Sequence, residues 1–414
     1  MLGKGSRRRG RHVRALRVSG LVAAICAGLL AASWVYFQDL EAHVRAGGEP
    51  DRGAAASCDP VTTGIVPPAK IDANTATALA FTPDGRLMWA ERSGLIHVFQ
   101  NGRPQVFGRV VSVTVELDGT HSERGVTGLA ISPTYETDHY VYAMYSDADY
   151  THEDVIRWRD CGGVGIEPTT ILVLPSGSNC CHKAGRLAFG PDGDLYVALG
   201  DEDSSGHPHP GFIPPAQLTS TPLGKILRYE PDGSIPPDNP FGPDNPTWVY
   251  GLRNPFGIAF NDQGQLLVTM NGPSADAGSP KTGYDTVDLA IRGGNYGWPY
   301  CYGYGHLIKG NNVRRGCGAG AIQPVWSSEA ATVVPTGPAW IRPGGPANIV
   351  GHWVVCSAYK GMLVLTPDTP HWDVTVAFAG CQLDVKQAPD GTVYYSDFKA
   401  VYRAGSEKYS APLP

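Results

Sequence analysis

Charge, long apolar runs and nucleotide-binding motifs are all scarce in this sequence. Charged residues make up 17% of the 414 residues and the net charge is −6, which argues against nucleic acid as a partner. No Rossmann glycine motif and no Walker motif is present, and no stretch after residue 38 has the apolar period of a long helix. Glycine (52 residues) and proline (35 residues) are abundant instead. This composition is typical of an all-β protein with many turns.

The long apolar run lies near the N-terminus. Residues 18–38 carry no charge, and about 20 such residues can span a bilayer as a helix. Basic residues crowd the segment before this run: Lys4, Arg7, Arg8, Arg9, Arg11, Arg14 and Arg17. By the positive-inside rule they keep the N-terminus in the cytoplasm. We predict a basic cytoplasmic segment (1–17), an uncleaved transmembrane signal anchor (18–38) and a polar linker (39–65).

The end of this apolar run distinguishes an anchor from its alternatives. Aromatic residues between positions 34 and 37 resemble an interfacial belt, which favours the anchor. The alternative is a cleaved signal peptide with its site at Ala31-Ala32-Ser33. Lipidation at Cys26 is disfavoured because Ile25 is bulky for the preceding position. Every version exports residues 40–414, and the anchor predicts a single-pass cell-membrane protein with an extracytoplasmic domain.

Nine cysteines fit an exported domain, because disulfides persist in oxidising compartments. Cys26 lies in the apolar run, which leaves an even number outside it. We expect Cys301 to pair with Cys317 across a Gly/Asn loop, and Cys356 with Cys381. The sequence leaves the others unassigned: Cys58, Cys161, Cys180 and Cys181. Zinc binding at Cys180-Cys181-His182 is an alternative, but adjacent cysteines do not match the spacing of structural zinc ligands.

One pattern recurs along the remainder of the chain: an apolar strand, a turn such as Pro-Asp-Gly, and a second β-rich strand. Asp-Gly supplies the positive-φ turn that joins antiparallel strands. The copies lie at Leu79–Trp89, Leu129–Tyr142, Leu187–Val197, Ile258–Val268, Gly351–Leu365 (degenerate) and Val385–Tyr395. Repeats of this kind pack against their neighbours. They predict an all-β, six-bladed β-propeller of four-stranded blades over residues 66–408.

Three segments, taken in order, resemble a known family. They are Cys180–Phe189, which contains His182; Gly251-Leu252-Arg253-Asn254-Pro255-Phe256-Gly257; and Gly293-Gly294-Asn295-Tyr296-Gly297-Trp298-Pro299. Together they resemble the quinoprotein sugar dehydrogenases of the glucose/sorbosone dehydrogenase family, over roughly residues 70–405. The resemblance implies a six-bladed propeller that uses pyrroloquinoline quinone (PQQ) and Ca²⁺.

The resemblance also implies roles for individual residues. His182 matches the base that removes the C1 hydroxyl proton of the sugar, and imidazole suits this role because its pKa lies near working pH. Arg253 and Asn254 match the pair that contacts the quinone oxygens, where an Arg can stabilise developing negative charge. Asp201 matches a substrate-side carboxylate. Glu123 falls where the glucose enzymes carry a Gln near a sugar hydroxyl.

Two calcium sites are implied in the same way. Gly272 and Pro273 match residues whose carbonyl oxygens bind the Ca²⁺ that also ligates the quinone, and Ca²⁺ prefers oxygen ligands. Asp285 and Tyr296 match ligands of a second, structural calcium. The neighbouring acidic position of that site is Thr286 in this chain.

The chain departs from the family where cations hold the carboxylates of the quinone. The family's Lys position is Tyr359, with Lys360 adjacent, and we take Lys360 as a cofactor contact. The two Arg positions are Cys381 and Leu383, and an Asp beside the catalytic His is Cys181. Each missing cation removes a charged hydrogen bond of about 1.5–3 kcal/mol.

Two functions follow from these observations. The leading one is the PQQ-dependent oxidation of an aldose at C1 to a lactone, with electrons passing to an unidentified acceptor. The alternative is a non-catalytic propeller that binds a glycan or a protein partner, because propellers host many unrelated functions. The retained site residues favour the enzyme, and the missing cations favour the alternative.

Overall fold

The computed structural model describes residue 58 and residues 66–114, 122–177, 181–204, 213–275, 280–308, 317 and 320–405. The predicted cytoplasmic segment and signal anchor, with nearly all of the linker, lie outside the described residues and stay predictions. Among the described residues, no helix is long and apolar enough to cross a membrane.

Strands dominate the described residues. In the first half of the chain they are β1 (Lys70–Asp72), β2 (Ala76–Phe81), β3 (Leu87–Glu91), β4 (Leu95–Gln100), β5 (Arg103–Arg109), β6 (Val126–Ile131), β7 (Tyr140–Ser146), β8 (His152–Cys161), β9 (Val164–Pro175), β10 (Ala184–Phe189) and β11 (Leu195–Leu199). The described helical segments are short: α1 (Tyr135–Asp138) and a 3₁₀ turn (Pro215–Gln217).

The second half continues the same organisation. Its strands are β12 (Lys225–Tyr229), β13 (Thr247–Tyr250), β14 (Pro255–Phe260), β15 (Leu266–Met270), β16 (Thr286–Ala290), β17 (Cys301–Tyr302), β18 (His306–Leu307), β19 (Trp326–Ser327), β20 (Pro335–Trp340), β21 (Trp353–Ser357), β22 (Gly361–Thr366), β23 (Asp373–Phe378), β24 (Val385–Gln387), β25 (Val393–Ser396) and β26 (Ala400–Arg403).

These strands form six four-stranded antiparallel sheets within the described part of the chain, which confirms the six-bladed propeller. Blades 1, 2 and 3 are β2–β5, β6–β9 and β10–β13; blade 4 is β14, β15, β16 and β19; blade 5 is β20–β23. Blade 6 combines β24, β25 and β26 with β1, where Ile71 lies opposite Val401. The N-terminal strand therefore closes the ring.

Apolar clusters fill the space between neighbouring blades. Blades 1 and 2 bury Met88, Val98 and Val141 between them, and blades 6 and 1 bury Trp89 with Tyr394. The second strand of a blade is buried on both faces, as in β3, β11 and β21. Such strands read as continuous apolar runs rather than as alternating ones. The blades are thus held by their mutual packing.

The fifth repeat differs from the prediction. Gly351–Leu365 is not the start of a blade but covers β21 and β22, the second and third strands of blade 5. The first strand is β20, which contains Pro335 and Pro338. Proline cannot donate a ladder hydrogen bond, but it is tolerated on an edge strand, and β20 is the edge of its sheet.

Disulfides tie several of these elements together. The predicted pairs Cys301–Cys317 and Cys356–Cys381 are confirmed, and Cys58 pairs with Cys161 at the end of β8. Cys181 is also disulfide-bonded, so its sulfur is not a thiolate that could bind zinc.

Candidate active site

The first strand of each blade starts at one end of the propeller, and residues from all six blades line an axial channel there. The channel cavity has a volume of about 300 Å³. A neighbouring cavity of about 390 Å³ shares Glu123, Asn271 and Val334 with it. The ladder between first and second strands shifts register near this end in blades 1 to 5. Such bulges change the direction of side chains beside functional sites.

The larger cavity, called the main cavity below, collects most of the predicted residues. Its lining comes from blades 2 to 5 and consists of Glu123, Cys181, His182, Asp203, Arg253, Asn254, Asn271, Gly272, Pro273, Ser274, Thr282, Gly283, Asp285, Thr332 and Val334. The structure therefore brings together the predicted base, the predicted quinone contacts and the predicted carbonyl ligands. It does not place Asp201, Tyr296 or Lys360 in that lining.

His182 and Asp201 form a buried pair at the edge of the main cavity. Nδ1 of His182 lies 2.6 Å from Oδ1 of Asp201, and the two residues are 5% and 0% exposed. The other carboxylate oxygen of Asp201 accepts the indole N–H of Trp298 at 2.7 Å. With Nδ1–H donated to Asp201, Nε2 of His182 is left for a ligand in the cavity. Asp201 does not line the main cavity, and its carboxylate orients the imidazole, so the substrate-side role of Asp201 stays a prediction.

Opposing effects set the pKa of His182. Burial and the charge of Arg253 lower the pKa, while the hydrogen bond and charge of Asp201 and the charge of Glu123 raise it. The balance lies above the ordinary value of a histidine. This places an imidazole with a raised pKa directly in the cavity wall.

Glycine at position 200 allows the two loops of this pair to approach. A Cβ on Gly200 would overlap the carbonyl group of His182. His182 itself has a φ of 59°, in the left-handed region that non-glycine residues rarely adopt. The loop that carries the base is therefore tightly constrained.

Arg253 and Asn254 immediately precede β14. Nη1 of Arg253 donates to the carbonyl of Asn271 at 3.2 Å, and its guanidinium carbon lies 5.6 Å from the ring centroid of Trp298. Nδ2 of Asn254 donates to Oε2 of Glu123 at 3.0 Å. Oδ1 of Asn254 is buried and has no hydrogen-bond partner among the described residues. A buried acceptor without a partner indicates a ligand that donates a hydrogen bond or carries positive charge.

The predicted calcium residues have different environments. Gly272 and Pro273 line the main cavity, beside Asn271, whose Oδ1 is also buried without a partner in the described structure. Asp285 accepts backbone N–H groups from Gly272, Val333 and Val334 at 2.8–2.9 Å. Its carboxylate thus holds the Gly272 loop against blade 5.

The second predicted calcium site lacks a matching ligand set. The hydroxyl of Tyr296 is bonded to the backbone of Leu289 and Ile291. Asp288, which sequence reasoning missed, is buried beside a third cavity of about 20 Å³ and accepts the Thr286 hydroxyl at 2.7 Å. Burial raises the pKa of Asp288 to about 7. The alternation Thr286-Val287-Asp288 along β16 was the signal that could have found it. No cluster of three His, Cys, Asp or Glu side chains suited to a metal occurs in the described residues.

Cations of the last two blades do not reach the main cavity. Tyr359 is 69% exposed, Lys360 is also exposed, and neither lines either of the two larger cavities. Cys381 is in its disulfide, and Leu383 lines the channel. Lys360 is therefore not placed to meet a ligand in the main cavity.

Comparison with known proteins supports the family assignment. The model of the family "Glucose / Sorbosone dehydrogenase" matches residues 73–397. This chain belongs to the glucose/sorbosone dehydrogenase family. Quinoprotein glucose dehydrogenase B of Acinetobacter calcoaceticus is 30% identical over 258 residues, which cover 56% of this chain and 51% of that protein. Aldose sugar dehydrogenase YliI of Escherichia coli K12 is 28% identical over 269 residues, 60% of this chain and 66% of that protein.

A solved structure of a sugar dehydrogenase has the same fold. It is the PQQ-bound form of aldose sugar dehydrogenase from Streptomyces coelicolor, with a TM-score of 0.62 and 26% identity. The match covers 86% of this chain and 98% of that one. The alignment with the Acinetobacter enzyme spans about half of its length.

Proposed function

We propose that this chain is a quinoprotein dehydrogenase that oxidises an aldose at C1 to a lactone. The observation that carries the proposal is that His182, oriented by its bond to Asp201, lines the same cavity as Arg253 and Asn254. A relative named quinoprotein glucose dehydrogenase B and a PQQ-bound aldose sugar dehydrogenase of the same fold support it.

The protein side of the reaction follows from this arrangement. Nε2 of His182 accepts the proton of the C1 hydroxyl, while Asp201 holds the tautomer and stabilises the imidazolium that forms. Trp298 keeps the carboxylate of Asp201 in place through its N–H. Glu123 faces the same cavity and suits a donor hydroxyl of the sugar.

PQQ fits the main cavity at its quinone end. A cavity of about 390 Å³ is within the range of small-molecule sites, and Arg253 would donate to a quinone oxygen there. Asn254 would take part through the amide hydrogen that Glu123 does not accept, because its open Oδ1 suits a donor. When bound, PQQ supplies the acceptor for the hydride that leaves C1. The channel also holds Arg92 and Arg186, but Arg92 donates to backbone carbonyl groups and Arg186 is ion-paired with Asp384, so neither is a direct replacement for the family's cations.

Calcium is part of the proposal because the cavity offers neutral oxygen ligands. The unpartnered Oδ1 of Asn271 and the carbonyl groups of Gly272 and Pro273 suit a hard cation. We propose that these residues hold Ca²⁺ beside the quinone, and that the site at Asp285 and Tyr296 contributes little.

We also propose that the propeller works outside the cytoplasm, tethered by residues 18–38. The disulfides Cys58–Cys161, Cys301–Cys317 and Cys356–Cys381 support an oxidising compartment. The electron acceptor would then be a membrane or extracytoplasmic carrier.

Calorimetric titration of the purified protein with PQQ, with and without Ca²⁺, tests this function. We expect calcium-dependent binding that Arg253→Ala weakens, and sugar-driven dye reduction that His182→Ala abolishes. Arg342→Ala is the matched control, because Arg342 is an exposed arginine paired with Asp262 and lines neither cavity. No binding at high micromolar PQQ would reject the dehydrogenase and favour a propeller that binds a glycan or protein.

A further inference from the structure

The loop before β10 and the loop after β11 are joined by two neighbouring side-chain pairs. His182 and Lys183 precede β10, and Asp201 and Glu202 follow β11. His182 is bonded to Asp201, and Nζ of Lys183 forms an ion pair with Oε2 of Glu202. The side chains of Lys183 and Glu202 are 0% and 1% exposed and do not line the main cavity. The ion pair is therefore buried next to the His182–Asp201 pair in sequence and lies outside the cavity lining.

The ion pair is fastened to a third segment, at the end of blade 2. Nζ of Lys183 donates to Oγ of Ser176 at 3.1 Å and to the carbonyl of Gly177 at 2.8 Å. Glu202 accepts the Ser176 hydroxyl at 2.9 Å and the Gly177 N–H at 3.1 Å. The ammonium of Lys183 and the carboxylate of Glu202 are thus each stabilised by hydrogen bonds as well as by their ion pair. A buried ion pair requires such additional hydrogen bonds.

Both loops carry strained backbone at this point. The φ angles of His182, Ala184, Glu202 and Asp203 are 59°, 53°, 57° and 54°. Non-glycine residues in this region persist where the surrounding structure over-determines them. The ion pair connects the residue that follows His182 to the residue that follows Asp201, so it constrains both strained loops together.

The backbone of Lys183 has a second connection to the site. Its N–H donates to Oε2 of Glu123 at 3.1 Å, and the same oxygen accepts Nδ2 of Asn254. Displacing Lys183 would therefore disturb His182 on one side and Glu123 on the other.

We propose that the Lys183–Glu202 ion pair is a positioning element that holds His182 and Asp201 in hydrogen-bonding register. Its effect on turnover rests on the function proposed above, whereas its effect on the geometry of His182 does not. Lys183 and Glu202 act through the residues beside them and do not touch the substrate. A tight register matters because small displacements of a catalytic base cause large losses of rate.

The direct test is a titration of His182 in the apo protein by NMR with isotope-labelled histidine. The signal of His182 is assigned by its loss in His182→Gln. The test variant is Lys183→Met/Glu202→Gln, which removes one charge of each sign and so leaves the net charge unchanged. We expect the pKa of His182 to fall by about one unit, a tenfold loss of proton affinity, because its bond to Asp201 is misaligned while its burial remains.

A matched ion pair far from the cavity controls for general loss of stability. Arg86 and Asp160 form a buried pair at 2.9 Å. Arg86 follows the C-terminal end of β2, and the channel residue Thr75 precedes its N-terminal end, so the pair lies at the opposite end of that strand from the channel. Arg86→Met/Asp160→Asn should lower the melting temperature and leave the pKa of His182 in place. Lys183→Arg, which keeps a donor for Glu202, should also leave that pKa in place.

The outcomes separate this inference from the proposed function. An unchanged pKa of His182 in the folded double variant would overturn the inference. If the double variant does not fold, Glu202→Asp decides, since it keeps the charge but shortens the side chain by one methylene group and so breaks the contact with Nζ of Lys183: a fall in pKa supports the inference, and no change overturns it. Quinone-dependent turnover is measured separately, and we expect it to slow by at least tenfold at similar KM. Absence of turnover in the unmodified protein would reject the proposed function alone.

Discussion

The indole N–H of Trp298 donates to Oδ2 of Asp201 across 2.7 Å, although the two residues are 97 positions apart in sequence. This bond joins a loop of blade 4 to the pair that orients His182 in blade 3. Trp298 is 2% exposed, and its face also meets the guanidinium of Arg253. One side chain therefore sets the positions of the proposed base and of the proposed quinone contact.

Trp298→Phe should separate this bond from the packing of the ring. Phenylalanine keeps an aromatic face but leaves a buried carboxylate oxygen of Asp201 without its donor, at a cost of about 1–3 kcal/mol. We expect a lower melting temperature and slower turnover, measured by thermal unfolding and dye reduction. Trp340→Phe is the control, because the indole of Trp340 also donates to a carboxylate, that of Asp262, at an exposed site. A similar loss of turnover in both variants would contradict the assigned role of Trp298.

Activity should depend on pH through His182. A base works only when neutral, so the rate should fall as pH drops through its pKa, which is raised above the ordinary value of about 6.5. In Asp201→Asn the hydrogen-bonded charge that raises this pKa is lost, so the acid limb of kcat/KM should move to lower pH. We also expect turnover to slow on the order of 100-fold, as general-base catalysis is impaired. An acid limb at the same pH in Asp201→Asn would contradict this assignment.

The His182–Asp201 pair should also make folding stability depend on pH. Stability should fall as pH rises, whereas activity should rise. Because the folded pKa of His182 is raised, the charged pair with Asp201 stabilises the protein fully below the unfolded pKa of about 6.5. This contribution is lost as pH rises through the folded pKa. Denaturant titrations of the unmodified protein and of His182→Gln at several pH values measure it. Equal pH dependence in both proteins would show that His182 is not its source.

The disulfide Cys356–Cys381 should stabilise the junction between the last two blades. It links β21 to the segment that leads into β24, close to the channel residue Leu383. Cys356→Ala/Cys381→Ala should cost about 2–4 kcal/mol of unfolding free energy. Urea denaturation measures this loss. Because Leu383 lies near the pair, the variant should also weaken PQQ binding, whereas Cys58→Ala/Cys161→Ala should lower stability alone.

Sequence reasoning predicted the propeller and most of the cavity, since the turn motifs and the residues before the inner strands are local features. The predicted start of blade 5 was wrong because Pro335 and Pro338 make its first strand unlike a strand in sequence. Proline is nevertheless tolerated there, since that strand lies at the edge of its sheet. The bond between Asp201 and Trp298 could not be predicted because the two residues are remote in sequence. The exposure of Lys360 depends on a turn geometry that a linear motif does not encode.

Leu383→Arg should restore a cation where the family carries an arginine. Leu383 lines the channel beside the main cavity, so an arginine there can reach a carboxylate of PQQ. A charged hydrogen bond contributes about 1.5–3 kcal/mol, which corresponds to about 10- to 100-fold tighter binding. Calorimetric titration with PQQ measures the gain, and Leu383→Met controls for the change in side-chain shape. Arg186 already donates to the carbonyl of Leu383, so weaker binding would show that the two guanidinium groups repel each other more than either attracts the quinone. Tighter binding in Leu383→Arg alone would identify the missing cation as the reason for any weak affinity of the unmodified chain, because nothing else in the cavity is altered.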